Sequence, residues 1–132
     1  VSASEIIFLT LDDVLLLHDL QLERYGGATG IRERPLLEFA IHMAQASFDG
    51  TYVHNNLYEM AAAYAFHIAE NQPFVDGNKR TALAATLVFL DMNFIEIEDP
   101  EELLYSAMIN IAQKTLNKSG LAQLLQKLTV VV

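Results

Sequence analysis

The residues best suited to chemistry gather in one stretch, Gln72-Pro73-Phe74-Val75-Asp76-Gly77-Asn78-Lys79-Arg80. Pro73 disfavours helical backbone at Gln72, which predicts that a helix ends there. Asp76-Gly77 is turn chemistry, and Gly77 tolerates positive φ. Asn78 then reads as an N-cap, with Lys79 and Arg80 in the first turn of a second helix. Cations at that end oppose the helix macrodipole, which favours negative charge. The placement makes sense if an anion joins them. Unpaired backbone N–H groups, a glycine and two cations form a pocket for phosphate. Asp76, an oxygen ligand beside it, suits a Mg²⁺ ion that bridges phosphates. The same spacing also describes a plain helix–turn–helix corner whose Lys79 and Arg80 point into solvent.

Two apolar, Ala-rich segments flank this stretch, Leu57–Asn71 and Thr81–Asn93, and both read as buried helices. The second is apolar nearly all round, which predicts a central helix covered on most sides and a rigid platform for the site at its start. The first carries Met60, Ala61, Ala63 and Tyr64, with alanine on several sides, and such small residues allow close helix approach. His67 lies inside that helix and reads as structural, with a supporting role near the site as the lesser option.

Upstream, Ile6–Leu9 is a short apolar run that reads as a strand, and Thr10 with Asp13 reads as a capping box. The helix that follows shows Leu11, Val14, Leu15 and Leu22 on one stripe, with His18 among them as a hydrogen-bonded structural residue. Gly26-Gly27 stops it. A loop to Glu33 contains Gly30 and Arg32, after which Pro35 opens a helix with Leu36, Leu37, Phe39, Ala40 and Met43. Asp49-Gly50 marks a turn. Phe94–Glu98 has the period of an edge strand and is expected to pair with Ile6–Leu9 as the only sheet. Asp99-Pro100-Glu101-Glu102 reads as N-cap, N1 proline and first-turn acids. Ser119-Gly120 is expected to open the last helix, through Leu121, Leu124, Leu125 and Leu128, before a frayed or partner-packed end at Val130–Val132.

Composition narrows the classes. A chain of 132 residues suggests a single domain, 1–132. No apolar run approaches the ~18 residues of a membrane span. No basic region precedes an apolar one at the N-terminus, so the expectation is no signal peptide and a cytoplasmic protein. The absence of cysteine excludes disulfides and thiolate sites. A formal net charge of −9 argues against nucleic acid as a partner. The scarce cations Arg24, Arg32, Arg34, Lys79 and Arg80 fall in or beside two loops, which suggests a small anionic ligand.

The signature stretch resembles that of the Fic/Doc family, His-x-Phe-x-(Asp/Glu)-(Gly/Ala)-Asn-(Gly/Lys)-Arg. Phe74, Asp76, Gly77, Asn78, Lys79 and Arg80 match, and Gln72 stands where the family has its catalytic histidine. Leu17-His18-Asp19, Arg24-Tyr25-Gly26-Gly27 and Thr81-Ala82-Leu83 are similar to the Doc (death-on-curing) branch. The resemblance implies an all-α, compact helical bundle around a buried central helix, with at most one short two-stranded β pairing. It implies ATP and Mg²⁺, with Asp76 on the metal, Asn78, Lys79, Arg80 and the Gly77 N–H around the phosphates, and Phe74 anchoring the loop. The segment from Gly26 to Glu33 resembles the family's flap, which holds the target segment of a substrate protein. Lys79, in place of the glycine usual in AMP-transferring members, favours transfer of phosphate to a Ser/Thr hydroxyl of a translation factor, as the Doc branch does with elongation factor Tu. AMP transfer to a protein hydroxyl and a catalytically dead nucleotide- or protein-binding module are the alternatives.

Gln72 is the departure. A carboxamide does not titrate near neutral pH and cannot act as general base, so the chain is expected to be inactivated or impaired. The glutamine is either an introduced change that permits production of a toxic enzyme or the natural residue of a binding module. The branch also implies a toxin restrained by an antitoxin. No (Ser/Thr)-x-x-x-Glu-(Gly/Asn) inhibitory motif and no added N-terminal helix is evident, so the antitoxin is expected to be a separate chain. A homo-oligomer is compatible with the same reading.

Overall fold

The computed structural model describes residues 6–131. Six helices follow one another: α1 (Leu11–Tyr25), α2 (Arg34–Ala44), α3 (Leu57–Asn71), α4 (Asn78–Met92), α5 (Leu103–Ala112) and α6 (Lys118–Lys127). Between α2 and α3 lies a two-stranded antiparallel hairpin, β1 (Ser47–Phe48) and β2 (Thr51–Tyr52). Its Asp49-Gly50 loop has positive φ at both residues, as a tight two-residue hairpin turn requires. The architecture is all-α, as expected. Within the described residues no helix is long and apolar enough to cross a membrane.

The hub is α3 and not, as the apolar pattern suggested, α4. α3 packs against α2, α4, α5 and α6, whereas α4 meets α1, α3 and α5. The reason is side-chain size. Ala61, Ala62, Ala63, Ala65 and Ala69 are all fully buried, so neighbouring helices approach α3 from several sides. In α4 the residues Leu83, Leu87 and Val88 stay half-buried, because among the described residues no further helix covers that face.

The expected pairing of Ile6–Leu9 with Phe94–Glu98 does not form. Side chains satisfy the first segment instead. Asn93 accepts from the Ile7 N–H and donates to the Ile7 carbonyl, at 2.9 and 2.8 Å. The Tyr64 hydroxyl accepts from the Leu9 N–H at 2.9 Å, and burial pushes that phenol above its ordinary pKa. The second segment pairs with the C-terminal residues. Glu98 donates to the Leu128 carbonyl and Val130 to that of Glu96, around an Ile97–Thr129 bridge. Val130 is thus tied down, while Val132 lies outside the described residues.

Helix starts follow local capping where the partners are close in sequence. Thr10 and Asp13 form the expected capping box of α1, and Asn56 caps α3 through the Glu59 N–H. Two expectations shift. α5 begins at Leu103, after Glu102 in the left-handed region, and Asp99 caps it from a turn further back through the Leu103 and Leu104 N–H groups. α6 begins at Lys118 with Asn117 as its cap.

Candidate active site at the start of α4

The signature forms the junction between α3 and α4. α3 ends at Asn71, and Gln72 turns the chain in the left-handed region, with φ 50° and ψ 60°. A non-glycine residue in that conformation before a proline is strained. Arg32 holds it there. Its Nε and Nη2 donate to the Gln72 carbonyl at 2.9 and 2.7 Å, and Nη2 also reaches the Asn71 carbonyl at 2.7 Å. The guanidinium thereby caps the C-terminal end of α3, where a cation is favoured. Arg32 was grouped with the cations awaiting an anion, but the structure commits it to these carbonyls. Arg34 is likewise engaged, in an exposed ion pair with Glu38.

The loop ahead of α2 runs alongside the signature. Arg32 and Glu33 donate their N–H groups to the Pro73 carbonyl, and Val75 donates to that of Gly30. Ile31 and Phe74 form a single antiparallel bridge. The signature loop is therefore bound to the flap segment by backbone hydrogen bonds, as one extra strand would be.

Beneath the loop, Phe74 is buried and its ring lies flat on that of His18, with centroids 3.7 Å apart and planes 7° from parallel. His18 Nε2 donates to the Asp76 carbonyl at 2.8 Å. The hydrogen-bonded structural role expected of His18 is what the structure shows, with the signature as its partner. Asn78 is not the N-cap. It is the first residue of α4, Gly77 caps the helix with φ 78°, and no side chain caps the N–H groups. The buried Asn78 carboxamide instead accepts from the Phe74 N–H at 2.9 Å and donates to the Phe74 carbonyl at 3.0 Å. It closes the loop from within.

Asp76 is exposed above this framework. Its Oδ2 accepts from the Ala28 N–H at 3.1 Å and its Oδ1 from the Gly77 N–H at 3.0 Å. The Gly77 N–H expected near the phosphates is thus engaged by the adjoining carboxylate. No group of three or more His, Cys, Asp or Glu side chains able to hold a metal occurs among the described residues. A single oriented carboxylate nevertheless fits Mg²⁺, which commonly takes one or two protein carboxylates and completes its shell with phosphate and water. Each oxygen accepts one N–H and keeps a lone pair for a cation.

The two cations of the first turn have no carboxylate partner among the described residues, and both are half-buried. The Arg80 guanidinium lies between two rings, Tyr25 at the end of α1 and Tyr105 on α5, each with its centroid 4.0 Å from Cζ. Neither tyrosine was foreseen as part of the site. Tyr25 belongs to the Arg24-Tyr25-Gly26-Gly27 segment, but nothing local signals that it meets Arg80. The Gln72 side chain, at the opposite end of the loop, is exposed and makes no hydrogen bond among the described residues. His67 is remote from this chemistry. It accepts from Lys118 Nζ at 3.1 Å and packs edge-on against Phe39 and Phe66. Cavities of about 540 and 410 Å³ open elsewhere, beside the hairpin and beside α6, and no signature residue lines either.

Comparison with known proteins identifies the family. The model of the Fic/DOC family matches residues 8–90. The chain is 32% identical over 117 residues to the protein kinase doc of Escherichia phage P1, covering 89% of this chain and 91% of that protein. It is 36% identical over 90 residues to the toxin Doc of Mycolicibacterium smegmatis, covering 68% and 67% of the two chains. Both matches extend well beyond the signature, and the chain belongs to the Fic/Doc family.

Proposed function

We propose that this chain is a Doc-type toxin domain, built to transfer the γ-phosphate of ATP to a Ser/Thr hydroxyl of a translation factor and impaired in that transfer by Gln72. The observation that carries the reading is the start of α4. A helix N-terminus with no side-chain cap, two first-turn cations without carboxylate partners among the described residues and one carboxylate oriented by backbone N–H groups belong to the same junction. Among the described residues no carboxylate pairs with these cations, and a nucleotide phosphate chain with Mg²⁺ would. The phage P1 relative is named a protein kinase, in keeping with phosphate rather than AMP as the group moved.

In this reading Arg80 and Lys79 bind and orient the phosphates, and Asp76 holds the metal, which would neutralise charge on the phosphate oxygens. The flap already pairs with the signature loop through the Ile31–Phe74 bridge, and in this reading its remaining backbone would take an extended target segment in the same manner. Transfer joins the target oxygen to the γ-phosphorus, breaks the bond to the β-phosphate oxygen and releases ADP. The hydroxyl proton must leave, and where the family's signature has its histidine this chain has a carboxamide that cannot take it. Loss of a general base costs on the order of 10²–10⁴ in rate. Restraint would come from a separate antitoxin chain, and a translation factor as substrate would put the protein in the cytoplasm.

The test is Gln72→His. Its expected outcome is label transfer from γ-labelled ATP to a translation factor and arrest of growth on expression. Transfer from α-labelled ATP instead would establish AMP transfer. A Gln72→His protein that binds nucleotide but moves neither label would leave the binding module as the function of this fold.

A further inference from the structure

Arg80 is the cation nearest in role to the phosphates, and its surroundings are unusual. A guanidinium carries all its N–H donors in one plane. Here its central carbon lies over two rings, 4.0 Å from the Tyr25 centroid and 4.0 Å from the Tyr105 centroid. Its donors are left to act at the edges that the two rings do not cover. Three helices meet at this point: α1 supplies Tyr25, α4 supplies Arg80 and α5 supplies Tyr105. Tyr25 is 49% exposed and is the last residue of α1, held by the Gly26 N–H to the Leu22 carbonyl at 2.7 Å. Neither tyrosine hydroxyl makes a hydrogen bond among the described residues, so it is the ring faces that are in use.

We infer that Tyr25 and Tyr105 are positioning residues that fix the Arg80 fork edge-on to an oxyanion of the bound phosphate chain. The inference rests on the proposed nucleotide site and adds to it how its arginine is aimed. Two rings restrain the rotation of a long side chain before the ligand arrives, so less freedom is lost on binding. They also replace water over the cation by the negative faces of two π systems, and they bring no carboxylate that would compete with phosphate. Lysine cannot substitute, since an ammonium has no plane to stack and no fork to present.

The test is calorimetry with ATP·Mg²⁺ and, separately, inorganic triphosphate, on the unaltered chain, Tyr25→Leu, Tyr105→Leu, the corresponding phenylalanine variants and Arg80→Ala. Each leucine variant should weaken both ligands about threefold to tenfold, and each phenylalanine variant should stay within about twofold, because the hydroxyl is not needed. In an Arg80→Ala background the leucine changes should have no further effect, which a general loss of packing would not reproduce. The Arg80 Nε–H resonance of the unaltered chain should show a ring-current shift, a readout independent of how well any variant folds. Absence of that shift, or leucine variants that fold and bind as the unaltered chain does while Arg80→Ala does not, would overturn the inference and leave the nucleotide site standing. Equal binding by the unaltered chain and Arg80→Ala would remove both.

Discussion

Asp76 and Arg80 share one junction and are held by opposite means. Backbone N–H groups orient the carboxylate, and aromatic faces orient the guanidinium. The carboxylate depends on Gly27. That residue has φ +127°, and a Cβ there would lie 2.9 Å from Asp76 Oδ2. Gly27→Ala must therefore push the carboxylate aside or move the loop, and alanine is itself strained at this φ. If Asp76 holds the metal, nucleotide affinity in Mg²⁺ should fall about tenfold, the usual cost of disturbing a ligand's support. Affinity with the metal chelated should be unchanged. Calorimetry under both conditions checks this, and equal losses in the two would mean that Gly27 serves the loop and not the carboxylate. The residue types of the site were readable before the structure, because the signature is contiguous. The partners were not: Asn78 looked like a cap, and only the fold of the loop brings its carboxamide onto the backbone of Phe74.

At the scale of elements, α4 is bounded at both ends by left-handed residues, Gly77 before it and Phe94 after it. The C-terminal end is a Schellman turn, with the Ile95 N–H on the Leu90 carbonyl and the Phe94 N–H on that of Asp91. Glycine is the natural occupant of the position Phe94 fills with φ 68°. Phe94 is also 94% exposed, so its ring recovers almost nothing by burial. Phe94→Gly should stabilise the fold by about 1 kcal/mol and raise the melting temperature by about 3–5 °C. A thermal melt that stays put or falls would show that the ring makes a contact worth as much as the strain. The same segment explains a failure of pattern reading. The alternation after Phe94 does mark extended backbone, but its partner is the Leu128–Val130 segment. Pairing over such distances is decided by packing, and the Asn93 and Tyr64 side chains had already satisfied Ile7 and Leu9.

Across the whole molecule, the buried alanines of α3 let four helices pack around it, and the site forms where α1, α4 and α5 converge beyond its C-terminal end. The alanine pattern was visible in the sequence, but which helix would be the hub depended on what the remaining chain could cover. The joint between α3 and α6 has a chemical weak point. His67 is buried, and its Nε2 accepts from the Lys118 ammonium. Burial, then the Lys118 charge, then His54 lower its pKa from 6.5 to about 4. The unfolded chain therefore binds this proton more readily than the folded one, and the sign follows from linkage. The contribution is complete above pH 6.5, is lost progressively as pH falls to about 4, and changes no further below that. A gap of that size corresponds to at most about 3 kcal/mol. Urea midpoints measured from pH 7.5 down to 4 should fall across that window, and His67→Gln, which keeps an acceptor for Lys118 but has no proton to take up, should flatten the decline. If the two proteins lose stability in parallel, the acid-sensitive group lies elsewhere.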